Sequence, residues 1–555
     1  MTRFATRLMA LLLFAATALA PASQPLAQVR MPALGDDGDE GLPVAAERRY
    51  GEQIMREVRR DPAYLDDPVL LEYVQSLWER LVAAAERRGD IGPDLRTQFP
   101  WELFLVRDRS VNAFALPGGY VGVHLGLVAL TTSSDELASV LAHELSHVSQ
   151  RHIARSVASA SRQGALSLAA MLLGVIAASR ANSADLAQAA IAGSQAAAIQ
   201  GQLNFSREME READRIGLAV LREAGFAPTG MARMFEKLEQ ASRLNDAGQY
   251  PYLRTHPLTT ERVSEARTRS GFGAEPDSTG PEVHAMMQSR ARVLMDDGVD
   301  GLRRAAQTPL PPVQPPAQSS AQSSAQSPAW RDRLAVLYGA ALAQSRLQDH
   351  DAARRGAQAL QETVAQMPGG SAAATLLRAA ALLRAEIELA AGDGARALAQ
   401  VPAAPAGSAL PRPERLLRAQ ATLQDAAPGA GAAPAPVAQG AAREALQESA
   451  ATLQTWLAQH RADAAAWQLL ARHQDSLGVR LGAARAWAET RAALGDLSAA
   501  VDLLRAARRS QAPVTAADFI DASVIDARLR ELEAQRREIA REMRGRRGGP
   551  AEGDG

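Results

Sequence analysis

The sequence has no cysteine among its 555 residues, which excludes disulfide bonds and thiolate metal sites. Any bound metal ion must therefore use histidine imidazoles and carboxylates as ligands. Aromatic residues make up only 4% of the chain, and together with abundant alanine this scarcity favours closely packed helices over a β-sandwich. The formal net charge is −1, so no basic excess indicates a nucleic-acid partner.

The length and hydrophobic content predict a folded chain of several domains. Hydrophobic residues make up 47% of the sequence, enough for substantial cores. Apolar residues recur at helical spacing in most segments, whereas only residues 101–130 have the alternation and turn residues of strands. We therefore expect a mostly α fold with a small β-hairpin or sheet.

The first 22 residues have the pattern of a secretory signal peptide. Two arginines precede an apolar segment of 13 residues, Leu8–Ala20, which is too short to span a bilayer comfortably. Residues 20–22 offer an A-x-A cleavage site, cleavage after Ala27 is the alternative, and an uncleaved anchor is the other interpretation. A signal peptide predicts export to the bacterial periplasm. Residues 23–45 are rich in Gly, Asp and Pro and are predicted to be disordered.

The stretch Asp135–His147, DELASVLAHELSH, ends in the motif H-E-x-x-H. His143 and His147 are four residues apart and therefore share one face of a helix. Two imidazoles in this arrangement can bind one zinc ion and leave coordination positions for a third ligand and a water molecule. Glu144 follows the first histidine, where its carboxylate can take a proton from that water. The alternative interpretation is a partly buried helix with two hydrogen-bonded histidines.

A second helix, predicted over Phe205–Arg222, offers the third ligand. Its apolar periodicity places Glu210 and Asp214 beside the buried stripe rather than on the solvated face. A half-buried carboxylate needs a partner; zinc would serve Glu210, and Asp214 could hold a histidine N–H. Gly217 on the same stripe would permit the close approach of another helix. The alternative is a charged helix in which the glutamates pair with neighbouring arginines.

A strand is predicted over residues 101–108, and a hairpin with a Pro-Gly-Gly turn over residues 112–130. A strand edge beside the metal helix could pair with an extended substrate through backbone hydrogen bonds. The alternative is an ordinary structural hairpin. The candidate substrate-binding residues are Asn112, Ala113, Phe114, Gly118 and Gly119.

Four segments, NAFALPGG, HELSHVSQRH, SREMEREADRIG and THPLTTER, resemble one family in their order and spacing. The family is that of zinc metallopeptidases of the HtpX and CAAX-prenyl endopeptidase type, and the resemblance covers roughly residues 45–275. It implies a helical, gluzincin-type metallopeptidase domain at 46–275. A signal peptide and later helical repeats make the chain similar to the soluble periplasmic branch of this family.

The resemblance also implies roles for individual residues. It assigns one zinc ion per chain to His143, His147 and Glu210. It makes Glu144 the general base. Asp214 is predicted as a further residue of the catalytic site because its helix position would let it hold a histidine N–H.

His256 belongs to the THP segment, and the resemblance implies that it coordinates zinc in a closed state. A fourth protein ligand would displace the attacking water. The alternatives are a histidine that satisfies the loop backbone, or one that stabilises the transition state. His152 follows His147 by five residues, about 140° around a continuous helix, so it should lie away from the ligands, and a structural role is predicted. The remaining histidines lack ligand spacing; His124 is only weakly suggestive, and surface positions are expected for His284, His350, His460 and His473.

The C-terminal half is predicted to be a helical repeat region. Residues 276–307 form a helical connection, and the Pro/Ala/Gln/Ser-rich segment 308–329 is expected to be a disordered insertion. Residues 330–547 show helices with a period near that of tetratricopeptide repeats, interrupted by a second disordered stretch near 426–440. The tail 548–555 is expected to be disordered. Such a solenoid presents a concave peptide-binding surface, with a plain scaffold as the alternative.

Two functions follow from these features. The first is an exported zinc endopeptidase acting on misfolded or stalled envelope and outer-membrane proteins. The second is a chaperone or scaffold whose tetratricopeptide-like repeats engage outer-membrane proteins or the β-barrel assembly machinery, with a latent protease. A peptidoglycan hydrolase is disfavoured by the hairpin and the family resemblance. Residues 164–178 are apolar and could contact a membrane surface, although a buried helical hairpin is favoured over a transmembrane helix.

Overall fold

The computed structural model describes residues 42–159, 206–244, 250–271, 280–311, 323–367, 373–402, 409–427, 438–510 and 516–547. Within these ranges it contains 22 helices and one sheet of four strands. The predicted mostly α fold, with a small sheet in the first half and helices throughout the second, is therefore confirmed. The proposed signal peptide and the apolar segment 164–178 lie outside the described residues. None of the described helices is long and apolar enough to span a membrane.

The elements of the first half are, in chain order, α1 (Val44–Val58), β1 (Tyr64–Leu65), α2 (Pro68–Arg88), α3 (Pro93–Gln98), β2 (Glu102–Val106), β3 (Ala113–Leu116), β4 (Tyr120–His124), α4 (Leu125–Leu130), α5 (Ser134–Ser149), α6 (His152–Ser159), α7 (Arg207–Glu223), α8 (Thr229–Leu244), α9 (Pro251–Thr255) and α10 (Thr260–Ser270). The second half continues with α11 (Pro281–Met295), α12 (Val299–Ala306), α13 (Ser323–Arg346), α14 (His350–Ala365), α15 (Ala373–Ala390), α16 (Gly394–Gln400), α17 (Arg412–Asp425), α18 (Gly440–Gln459), α19 (Ala464–Leu477), α20 (Arg480–Ala493), α21 (Leu497–Ser510) and α22 (Ala516–Arg547).

The sheet has the order β1-β2-β4-β3, with β2 parallel to β4 and β3 antiparallel to β4. The predicted hairpin is present, and its turn uses Gly118 and Gly119 at φ of 77° and 91°, which only glycine adopts without strain. A short helix, α4, lies between this hairpin and the metal-motif helix. Within the part of the chain that the structure describes, β3 lies at the edge of the sheet, and one side of its backbone has no partner strand.

The H-E-x-x-H motif lies on α5, and every residue of this helix is buried. The Ser133 hydroxyl caps the helix by accepting a hydrogen bond from the backbone N–H of Glu136 at 3.2 Å. Helix α7 crosses α5 at Gly217, where an added Cβ would lie 3.1 Å from the Ala142 carbonyl oxygen. The close approach predicted for Gly217 is therefore present, and it brings the two motif-bearing helices into contact.

The chain reverses sharply after α5. Arg151 has a positive φ of 53°, which interrupts helical geometry, and α6 begins at the next residue. The Arg151 guanidinium donates from Nε to the buried Glu47 carboxylate of α1 at 3.0 Å. This ion pair anchors the reversal and determines where His152 lies.

One hydrophobic core joins the two halves of the chain. Its buried residues extend from Leu65 in the first half to Ala421 on α17, and two smaller cores follow, at Leu416–Ala486 and Leu481–Leu532. Helix α13 begins at Ser323, inside the segment predicted to be disordered. The physical reason is the composition of its A-Q-S repeat, since alanine and glutamine are good helix formers.

Three arginines connect the repeats to the start of α2. Arg290 joins Asp67 to Glu386, Arg378 joins Glu72 to Glu414, and Arg412 joins Asp66 to Asp463. The Arg290 side chain is only 4% exposed, so its charge depends on these two carboxylates. Such a buried group is costly to break, because removal of one partner leaves uncompensated charge.

We predict that Arg290→Leu lowers the free energy of unfolding by about 3–5 kcal/mol, because two buried carboxylates lose their cation. The measurement is the shift of the guanidinium unfolding midpoint. Arg304→Leu is the matched control, since Arg304 pairs with Asp296 at the surface and is 69% exposed; it should change the midpoint little. Equal shifts for the two variants would contradict the predicted role of Arg290.

Candidate metal centre

Four predicted residues meet in one buried cluster: His143, His147, Glu210 and His256. Each offers one ligand atom, and these atoms lie within 4.8 Å of one another. They come from α5, from α7 and from the segment that follows α9. All four residues are at most 2% exposed.

The geometry of the cluster suits a metal ion. The Nε2 atoms of His143 and His147 lie 3.0 Å apart. The Glu210 carboxylate lies 3.5 Å from the first and 3.4 Å from the second. Imidazole and carboxylate donors are typical of zinc sites, and a cation between them would compensate the buried carboxylate.

Asp214 orients the first histidine, as predicted from its position one turn after Glu210. Its Oδ1 lies 3.0 Å from His143 Nδ1, which directs the opposite nitrogen, Nε2, into the cluster. Burial opposes a charge on His143, but contacts with Asp214 and Glu210 outweigh burial and raise the pKa of His143 to about 10. The two carboxylates therefore make this position favourable for positive charge.

Arg262 is a residue of the site that sequence reasoning missed. Its Nε and Nη2 donate to the two Asp214 oxygens at 2.6 and 2.8 Å, and its Nη1 lies 2.8 Å from Glu210 Oε2. Helix α10 carries several exposed charges, so nothing in its pattern distinguishes an arginine that is only 5% exposed. The only available signal was its place in the THPLTTER segment.

His256 lies against both the ligand carboxylate and the candidate base. Its Nδ1 is 3.0 Å from Glu210 Oε1, and its Nε2 is 3.4 Å from Glu144 Oε1. The Tyr252 ring stacks on the imidazole with centroids 4.6 Å apart. His256 can therefore act as a fourth donor in this arrangement.

Glu144 is completely buried beside the cluster. Burial raises the pKa of its carboxyl, although His256, His143 and the backbone N–H of Ala115 on β3 act in the opposite direction. A raised pKa brings a carboxylate closer to the range in which it can exchange protons near neutral pH. Because Glu144 is buried, the structure represents a closed site.

His152 contradicts the expectation that it lies away from the ligands. Its Nδ1 lies 2.9 Å from His147 Nδ1, and its Nε2 lies 3.1 Å from Glu212 Oε2. The prediction was wrong because it assumed one continuous helix, whereas the positive φ of Arg151 ends α5 and folds His152 back onto His147.

Two histidines predicted to be at the surface are buried instead. His284 bonds to the Tyr73 hydroxyl through Nδ1 at 2.7 Å, and burial lowers its pKa to about 4. His473 donates from Nδ1 to the Leu469 carbonyl at 2.7 Å. Spacing excluded both as ligands, but a hydrogen-bonded neutral histidine is readily accommodated in a core. His460 is exposed, as predicted.

The predicted substrate-binding residues have different environments. Asn112 is buried, and its side-chain Oδ1 has no hydrogen-bond partner among the described residues. Ala113 begins the edge strand. The Phe114 ring packs edge-on against Phe104 and His124. An added Cβ at Gly118 or Gly119 would meet α1 or Phe99 at under 3 Å, so the turn is held against its neighbours.

Comparisons with known proteins agree with this geometry. Residues 70–270 match the family model Peptidase family M48. The chain is 33% identical over 343 residues to the Beta-barrel assembly-enhancing protease of Yersinia pestis, covering 62% of this chain and 64% of that protein. It is 34% identical over 240 residues to the protein of the same name from Escherichia coli K12, covering 43% and 47%. Similarity to the Mitochondrial metalloendopeptidase OMA1 of Saccharomyces cerevisiae is 29% over 197 residues, covering 34% and 53%. The chain thus spans about half to two thirds of the length of these relatives.

We predict that Glu210→Gln weakens metal binding by more than about tenfold, because loss of a ligand should cost at least as much as loss of a group that orients one. Metal content after equilibration at limiting free zinc is the measurement. Glu208→Gln on the same helix is the matched control, since that side chain is 78% exposed. Unchanged zinc content in Glu210→Gln would exclude Glu210 as a ligand.

Proposed function

We propose that the protein is a zinc-dependent endopeptidase, because residues 70–270 match the family model Peptidase family M48. Its substrates are misfolded or stalled envelope and outer-membrane proteins. The observation that carries the proposal is the position of Glu144 beside a buried His/His/Glu cluster and next to the edge strand β3. The names of the two bacterial relatives support a role in outer-membrane β-barrel assembly.

The residues of the site divide the reaction between them. Zinc held by His143, His147 and Glu210 would supply a Lewis acid for a water molecule and for the scissile carbonyl. Glu144 removes a proton from the water as its oxygen attacks the carbonyl carbon. When the C–N bond breaks, Glu144 delivers that proton to the leaving amine. Asp214 holds the His143 ring in orientation through Nδ1.

The free edge of β3 is suited to hold an extended peptide substrate. The Asn112 carbonyl accepts a hydrogen bond from the backbone N–H of His124 at 3.0 Å. The backbone groups of Asn112, and of every second residue after it on β3, therefore point towards β4. The alternate residues, Ala113 and Ala115, then direct their backbone groups away from β4, and the Ala115 N–H contacts Glu144 on that side. Pairing through backbone atoms would accept many substrate sequences, and Asn112 Oδ1, which has no hydrogen-bond partner among the described residues, could accept one further substrate N–H.

His256 supports a latent resting state. It lies between the ligand carboxylate and the general base, and both of those carboxylates are almost inaccessible to solvent. A fourth protein ligand occupies the coordination position that the attacking water requires. Activation would therefore require the segment that follows α9 to move His256 away from the cluster.

A chaperone or scaffold role is the second candidate, and the helical repeats favour it. Residues of α18, α19, α20 and α22 line a groove of about 370 Å³. The lining includes the apolar side chains of Leu457 and Leu470 together with Trp467 and Arg485. Such a groove could hold a segment of a client protein or of the assembly machinery. The N-terminal pattern supports export to the periplasm, where both functions would operate.

We predict that Glu144→Gln reduces casein cleavage by about 10²–10⁴-fold, because the general base and the proton donor are lost together. The variant should retain zinc at the wild-type level, since Glu144 is not among the four donors. Initial rates and zinc content are measured on the same preparations. Undiminished cleavage would exclude the metallopeptidase mechanism, whereas a wild-type protein that binds zinc without cleaving would favour the scaffold role.

We predict that His256→Ala keeps its zinc and raises basal cleavage of a generic substrate, because three ligands remain and the inhibitory donor is removed. The initial rates of wild type and variant are compared at equal zinc occupancy. A slower variant would reject latency and would favour a role for His256 in stabilising the transition state.

A further inference from the structure

We propose that His152 is a positioning residue of the metal centre, which fixes the tautomer of His147 by accepting a hydrogen bond from it. The inference rests on the proposed zinc site and assigns an orienting partner to each of its histidines. His143 is oriented by a carboxylate, Asp214, whereas His147 contacts a second imidazole at 2.9 Å.

The hydrogen-bond chain determines where each proton lies. Glu212 accepts from the Arg155 guanidinium at 3.0 Å and lies 3.1 Å from His152 Nε2. An ionised carboxylate can only accept a hydrogen bond, so His152 carries its proton on Nε2. The Nδ1 atom of a neutral His152 is then an acceptor.

The position of the proton on His147 follows from the same argument. Its Nδ1 lies 2.9 Å from His152 Nδ1, and two nitrogens at this distance share one proton. Because His152 Nδ1 is the acceptor, the proton belongs to His147 Nδ1. The Nε2 atom of His147 consequently carries no proton, and it faces Glu210 and His143. A metal ligand requires this unprotonated nitrogen.

The fold is built to hold this contact. Arg151 has a positive φ, and its guanidinium is paired with Glu47. The chain direction changes at this residue, and the His152 ring lies against His147 in the last turn of α5. Glu212 lies on α7, two residues after the ligand Glu210. One helix therefore supplies both a ligand and the acceptor that sets the tautomer of the opposite ligand. Both imidazoles are fully buried, so water does not compete for the contact.

The test is zinc affinity of the full-length protein, measured by competition with a chromophoric chelator. His152→Leu removes the acceptor and should weaken zinc binding on the order of 10–100-fold, the usual effect of losing a group that orients a ligand. Glu212→Ala should give a smaller loss, since His152 remains but can exchange tautomers. His152→Asn can restore an acceptor oxygen and should recover much of the affinity. Arg155→Ala is the matched control, because it removes the other partner of Glu212 and leaves His152 in place.

A second readout separates orientation from stability. The visible absorption of the cobalt-substituted protein reports ligand geometry, and it should change in His152→Leu but not in Arg155→Ala. Thermal unfolding of the metal-free proteins shows whether each variant is folded. If His152→Leu does not fold, the partly exposed Glu212→Ala decides the question.

The inference would be overturned if folded His152→Leu had wild-type zinc affinity and an unchanged cobalt spectrum. The same outcome in Glu212→Ala would overturn it if His152→Leu does not fold. That result leaves the proposed peptidase intact if wild type cleaves casein and Glu144→Gln does not. Conversely, weakened zinc binding in folded His152→Leu, with recovery in His152→Asn, supports the inference even if the wild-type protein proves to be proteolytically inactive.

Discussion

The Glu210 carboxylate is the group on which the arrangement of the first half depends. It lies within 3.5 Å of nitrogen atoms from three histidines and from Arg262, yet it is only 2% exposed. A carboxylate removed from water must be compensated by cations or hydrogen bonds, and these neighbours hold the pKa of Glu210 well below its usual range in spite of burial. Four elements must therefore meet at the Glu210 carboxylate: the helices α5, α7 and α10 and the segment that follows α9.

The local features of this site could be predicted from the sequence because they depend on residues close together in the chain. The i, i+4 pair on α5, the half-buried faces of Glu210 and Asp214, and the glycines of the hairpin turn follow from helical and turn geometry. His152 could not be placed, because its position depends on a reversal at a non-glycine residue, Arg151, and on a distant partner, Glu47. A helical projection is valid only while the helix continues.

Charge pairs between residues far apart in the chain could not be predicted from the sequence either. Arg262 and Arg290 look like ordinary surface arginines in sequence, yet each lies in the interior between two carboxylates from other elements. The partners of Arg290 are separated from it by 223 and 96 residues, so no local pattern could connect them. Both arginines use their fixed fork of donors to bridge acids, and Arg290 in this way adds charge pairing to the apolar core through which the first half meets the later helices.

The shared core has a consequence for how this architecture can diversify. One cluster of buried apolar residues includes members from Leu65 to Ala421, so the first repeat helices share a core with the first half of the chain. A recombination event near residue 276 or 330, where composition alone would divide the chain, would separate two halves of one core. Replacement of helices by recombination is therefore easiest beyond α17, where separate smaller cores begin. The terminal helices can then vary in sequence while the first half and the helices that share its core are inherited together.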